Sequence, residues 1–107
     1  MKGYQLVFYT QQDRRHGKTP LAEWLLTFAR EHGALGGTMF SAAEGFGQDG
    51  RIHSAHFFEL ADQPVGVTVA IAEDKGDAFI AALEQEDIDV FFVKTAVEFG
   101  RMGKGEK

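Results

Sequence analysis

Three glycines within six residues, Gly45, Gly47 and Gly50, bracket Phe46 and lead into Arg51, Ile52 and His53. Glycine admits positive φ and lets a ligand come close to the main chain. The N–H groups freed by Gly45 and Gly47 can therefore receive an anion, as glycine loops do around phosphates. Arg51 can add charge-assisted contacts to a phosphate. Gln48 and Asp49 can hydrogen-bond a ribose or help to hold a metal. The same run also fits a simple hairpin turn, although a hairpin needs one glycine rather than three. The spacing matches neither the P-loop nor the dinucleotide-binding fingerprint. Turn and cradle both stand on the residues alone.

A second group is Asp13-Arg14-Arg15-His16-Gly17-Lys18, immediately ahead of a predicted helix. Its cations, Lys18 among them, concentrate positive charge near a helix N-terminus, where anions are favoured. Any one of these residues also fits a solvated loop. The four histidines are His16, His32, His53 and His56. His53 and His56 are three apart on a predicted strand, point to opposite faces and cannot chelate one metal together. His32, near a helix end, reads as a dipole or packing histidine. Glu84, Glu86 and Asp87 read as a solvated helix end. No Ser/His/Asp order stands out, and neither a catalytic set nor a metal site is expected.

These residues must be held by elements that the pattern makes legible. Tyr4 to Thr10 alternates with apolar residues on both sides, as a strand covered on both faces does. Thr19-Pro20 reads as an N-cap followed by proline at the first helical position. Leu21, Trp24, Leu25, Phe28 and Ala29 then recur at helical spacing, and Gly33 closes the helix. Strands are expected over 38–43, 54–60 and 65–72, the last with Val65, Val67, Val69 and Ile71 on one face and small residues on the other. Glu73-Asp74 opens a second helix carrying Phe79, Ile80 and Leu83, its early acids suiting the helix dipole. Residues 90–99 form the last strand. Residues 1–99 make one domain, and 100–107 a mobile Gly- and Lys-bearing tail.

The order β-α-β-β-α-β, with the third strand region long or broken at Pro64, predicts an α+β, ferredoxin-like antiparallel sheet with both helices on one face. Val7, Tyr9, Phe57 or Phe58, and Phe91 or Phe92 are then left on the other face. Apolar surface left wet costs roughly 25 cal/mol per Å². Burial against other copies of the chain is therefore expected.

With 107 residues, 44% of them hydrophobic, the chain supports one modest core. Eleven Lys and Arg stand against 16 Asp and Glu, a net charge of −5. That balance gives no general pull toward nucleic acid or anionic membrane. Gly45-Phe46-Gly47 echoes part of the aromatic signature of RNA-recognition domains, but Gln48-Asp49-Gly50 turns where that signature continues as strand. No nucleic-acid partner is expected. The absence of cysteine excludes disulfide and thiolate chemistry. No apolar run approaches transmembrane length, and neither membrane insertion nor a signal peptide is expected, so a cytoplasmic location is the expectation.

Asp13 through Leu21, then Gly45-Phe46-Gly47 with Arg51-Ile52-His53, then the strand after Pro64, resemble the small PII-like proteins of domain-of-unknown-function family 190. The resemblance runs from Tyr4 to about Phe99. More distantly, the chain resembles the PII nitrogen-signalling proteins, which also carry a strand ending in Gly-Phe-Gly, a loop and a return strand. The resemblance implies a homotrimer with ligand clefts between subunits and adenine nucleotide as effector. It also implies sheets facing one another inside the trimer, and a partner protein such as a membrane transporter or a metabolic enzyme. Carried over, Gly45, Phe46, Gly47 and Gln48 match the base of the signalling loop. Lys18, Arg51, His53 and Arg101 are expected to add ligand contacts, with Lys104 a further source of tail charge. The loop over 48–53 is shorter than that of PII and lacks a tyrosine to be uridylylated. In place of a second, Thr-Gly-rich phosphate segment stands acidic Leu83-Glu84-Gln85-Glu86-Asp87-Ile88-Asp89, so AMP, ADP or a small anion is favoured over ATP. Two alternatives remain: a small ferredoxin-like enzyme of monooxygenase or isomerase type, using His53 or His56 as acid–base group, and an interaction module whose glycine loop binds protein directly.

Overall fold

The structure, a computed structural model, describes residues 1–42, 44–46, 52–54 and 63–103, with main chain alone for 44–46 and 52–54. The elements in order are β1 (Lys2–Gln11), β2 (Arg15–His16), β3 (Thr19–Pro20), α1 (Leu21–Glu31), β4 (Gly36–Ser41), β5 (Glu44–Phe46), β6 (Ile52–Ser54), β7 (Pro64–Ala72), α2 (Glu73–Glu84) and β8 (Phe91–Glu98).

Four strands form the main sheet in the order β4-β7-β1-β8, every neighbouring pair antiparallel. The two longest strands, β1 and β7, sit in the middle, and proline stands only at the first position of β7, where its missing N–H costs least. Register aligns Leu6 with Val69 and Phe8 with Val67, so the side chains of these pairs share a face. On that face Leu6, Phe8, Val65, Val67, Val69 and Ile71 meet Leu21, Ala22, Leu25 and Ala29 of α1 and Phe79 and Leu83 of α2. Phe8 and Phe79 meet edge to face, with centroids 6.3 Å apart. Each such fully buried aliphatic or Phe side chain contributes roughly 1.5–3 kcal/mol by leaving water. This is the expected ferredoxin-like α+β arrangement, with both helices packed on one side.

The start of α1 differs from expectation. Thr19 is not its cap: it pairs with His16 in the short β2–β3 ribbon. Pro20, extended at ψ 135°, takes the N-cap position with no side-chain cap. Ladder pairing holds Thr19 extended, so its hydroxyl does not turn onto the helix. The Leu21 N–H instead donates to the Arg14 carbonyl at 2.8 Å. The other end is as expected: Gly33, at φ +90°, follows the last turn, and the His32 N–H donates to the carbonyls of Phe28 and Ala29.

The strand expected over 38–43 begins two residues earlier, at Gly36, and ends at Ser41; residue 43 lies outside the described residues. Of the strand expected over 54–60, Ser54 belongs to β6, which pairs with β5 rather than joining the main sheet, and 55–60 lie outside the described residues. The third sheet strand is thus β7 alone.

The face away from the helices is apolar, as expected. Tyr9 pairs with Phe91, their rings 6.0 Å apart, and Val7 pairs with Val93. Phe92 turns to the helix side, 5.8 Å from Phe8. Phe57 and Phe58 lie outside the described residues. Phe40 joins the open face, its ring filling the space where a side chain on Gly66 would sit, as the small residues on that face of the strand lead one to expect of some close neighbour. Exposures of 49% for Tyr9, 69% for Phe91 and 42% for Val93 leave this face wet in one protomer.

Candidate functional site

The glycine stretch is organised by a two-stranded ribbon. Glu44 is paired with Ser54, Gly45 with His53, and Phe46 with Ile52. The hairpin half of the sequence reading is therefore correct at its base. Gly47, Gln48 and Arg51, which the cradle half requires, lie outside the described residues. Their part in a ligand site is untouched by the geometry.

Register shows which predicted site residues share a region. β1 ends at Gln11 opposite Pro64, β4 ends at Ser41 opposite Val65, and β8 begins at Phe91 opposite Tyr9. One end of the sheet therefore sends out both ribbons and receives the connection from α2. Gly45, Phe46 and His53 are on one ribbon, and Lys18 is exposed in the turn of the other. That turn has glycine first: Gly17 takes φ +65°, as a two-residue hairpin of this kind requires. Arg101, also exposed, follows β8 beyond Glu98, which pairs with Lys2 at the opposite end of the sheet. One protomer does not bring Arg101 to the ribbons.

The basic ribbon has its own architecture. The Arg14 guanidinium donates to the Asp89 carbonyl. Arg15 Nη1 donates to the Lys18 carbonyl at 3.1 Å. His16 Nε2 lies 3.4 Å from Glu86 Oε1, and its ring lies 4.2 Å from that of Trp24. The aromatic column continues along α1, with Trp24 stacked on Phe28 at 4.6 Å and Phe28 against His32 at 4.2 Å. His32 Nδ1 donates to the Phe28 carbonyl at 2.8 Å, the packing histidine that the sequence predicts. The acidic stretch after α2 is thus tied to the basic ribbon and is not simply a solvated helix end. The signal was present as two oppositely charged loops, but their proximity depends on strand order, which local spacing does not reveal.

A groove of 420 Å³ lies between α1 and β4, lined among others by Glu23, Leu26, Arg30, Ala34, Leu35 and Gly37. It contains none of the residues chosen from sequence. No helix among the described residues is long and apolar enough to cross a membrane.

A family model for DUF190, described as an uncharacterized ACR, matches residues 3–98. The chain belongs to the DUF190 family. A relative, the UPF0166 protein of Aquifex aeolicus (strain VF5), is 28% identical over 97 residues, covering 82% of this chain and 92% of that protein. Among solved structures, a chain described as a PII-like signalling protein from Thermus thermophilus superimposes with TM-score 0.66 at 15% identity, over 90% of this chain and 87% of its own. CPII, a nitrogen regulatory PII-like protein from Thiomonas intermedia K12 bound to ADP, AMP and bicarbonate, gives 0.55 at 18% identity, over 91% and 89%. At these identities the likeness concerns the fold, which is PII-like.

Proposed function

We propose that this DUF190 protein is a non-catalytic, cytoplasmic PII-like sensor. It assembles as a homotrimer through the open sheet face and takes AMP, ADP or a small anion between protomers. Its ligand state is passed to a partner protein, a membrane transporter or a metabolic enzyme. The observation that carries the reading is the wet apolar face of Tyr9, Phe91 and Val93 beside a Gly-Phe ribbon that leaves the same sheet. Such a face calls for copies of itself, and our reading puts the ribbon at the boundary between them.

The relatives support the ligand class. CPII is described as bound to ADP and AMP, with bicarbonate in one structure and acetate in another. The ligand residues proposed are Gly45, Phe46, Gly47, Gln48, Arg51, His53 and Lys18 of one protomer. Arg101, which lies at the far end of its own sheet, is assigned to a neighbouring protomer's site. The acidic 84–89 segment favours AMP or ADP over ATP, because added phosphates would meet carboxylates. Signalling follows if ligand binding favours one arrangement of the ribbon, by no more than the ligand's differential affinity for the two arrangements.

Titration calorimetry with AMP, ADP, ATP and cyclic AMP tests the reading. Heat is expected with AMP or ADP and less affinity with ATP. Absence of heat and of thermal shift with all four removes the nucleotide. Gly47→Val is expected to weaken binding with the assembly intact, and unchanged affinity would move the site elsewhere.

A further inference from the structure

We propose that His16 is a proton-operated clamp between the β2–β3 ribbon and the connection from α2 to β8, with Trp24 as its built-in reporter. The clamp stands on the protein alone and does not depend on a nucleotide.

The imidazole sits between two partners of different chemistry. On one side is the Glu86 carboxylate, with Nε2 to Oε1 at 3.4 Å; on the other is the Trp24 ring at 4.2 Å. The His16 and Glu86 side chains are 26% and 35% exposed, so protons and solvent reach the pair while both groups remain partly desolvated. Histidine is the side chain that ordinarily changes charge between about pH 5 and 8. With its proton on, His16 completes an ion pair with Glu86 and presents a cation to an indole, the best aromatic partner for one. With the proton off, the ion pair is lost and a ring contact remains.

The elements packed there carry other charges. The ribbon and its approach carry Asp13, Arg14, Arg15 and Lys18; α1 carries Glu23; α2 and its connection carry Glu84, Glu86, Asp87 and Asp89. Two of the cations are engaged by main-chain carbonyls, Arg14 by that of Asp89 and Arg15 by that of Lys18. Glu86 is the carboxylate in contact. The Arg14 tie has no titrating partner, so raising the pH releases one of two ties and leaves the ribbon hinged on the other. Lys18 rides in the turn of that ribbon, so the clamp sets how firmly its charge is held.

The chain has a single tryptophan, which makes the test direct. A protonated imidazole against an indole quenches its emission. Emission from Trp24 in the full-length protein is expected to rise through one single-proton transition between about pH 5 and 8. H16Q is expected to abolish the transition. E86Q, which removes the carboxylate and keeps its bulk, is expected to alter the transition. H32Q is expected to leave it in place, because His32 touches Phe28 and not Trp24. Flat emission in the wild type, or a transition that persists in H16Q, overturns the clamp. Should circular dichroism show H16Q unfolded, E86Q decides, and a transition identical to that of the wild type overturns it.

Discussion

Lys18 and Gly76 show how differently two single residues act. Lys18 is exposed in its turn, and its structural service is a main-chain carbonyl that any residue would supply. Lys18→Ala is expected to leave stability within about 0.5 kcal/mol while weakening nucleotide binding up to about tenfold, as calorimetry beside urea unfolding would show. Gly76 does the reverse. It is buried in α2, and a Cβ built there would come 2.5 Å from the Tyr4 ring and 3.4 Å from Ile71. Alanine gains about 1 kcal/mol of helix propensity, but overpacking costs about 1–3 kcal/mol, so Gly76→Ala is expected to be destabilising on balance. Urea midpoints check the sign, and a stabilised variant would mean that Tyr4 yields freely. The sequence itself singles out Lys18 as a ligand contact, but the role of Gly76 is not legible there. A glycine in a helix signals a reason without naming it, and the Tyr4 contact spans two elements far apart in the chain.

At the scale of elements, legibility followed periodicity. β1, α1, β7 and β8 were readable because each carries a face of large apolar residues at its own period, and the central pair buries that face fully. The β2–β3 ribbon reads as loop in the sequence because two-residue strands have no period to show. Only Gly17, placed first in the turn, hinted at it. The cap of α1 departs from expectation for a related reason: Thr19-Pro20 has cap chemistry, but pairing of Thr19 with His16 in the short ribbon decides which residue turns the corner. The helix layer carries a plain prediction of its own. Phe79 is fully buried and meets Phe8, Phe28 and His32. Phe79→Ala is expected to cost about 3–5 kcal/mol, a large share of the roughly 5–15 kcal/mol of a typical domain. Urea unfolding at fixed protein concentration measures it. A loss below about 1 kcal/mol would show that α2 is not held by this side chain.

For the whole molecule, sequence and structure agree on the central asymmetry. Two helices cover one face of a four-stranded sheet, and the other face stays apolar. That much followed from alternation in β1 and β8, since Val7 and Tyr9 oppose Leu6 and Phe8 by strand geometry alone. Phe40 was missed because its place depends on the register of β4 against Gly66. The candidate site is less legible than the fold, because its loop residues Gly47, Gln48 and Arg51 show no periodicity and its remaining members come together only through strand order or, for Arg101, through the second protomer that we propose. Phe91 is 69% exposed in one protomer, so charge there costs little unless copies meet. Phe91→Asp is expected to keep the circular dichroism spectrum and give a monomer on size-exclusion chromatography with light scattering. A wild-type elution volume would place the interface elsewhere.

Native mass spectrometry of the purified protein with added AMP and ADP tests assembly and ligand in one spectrum. A dominant species at three times the protomer mass is expected, carrying one to three nucleotides, with fewer adducts from ATP at equal concentration. A monomer or dimer as the main species, or a trimer that takes none of these nucleotides, would contradict the trimeric nucleotide sensor.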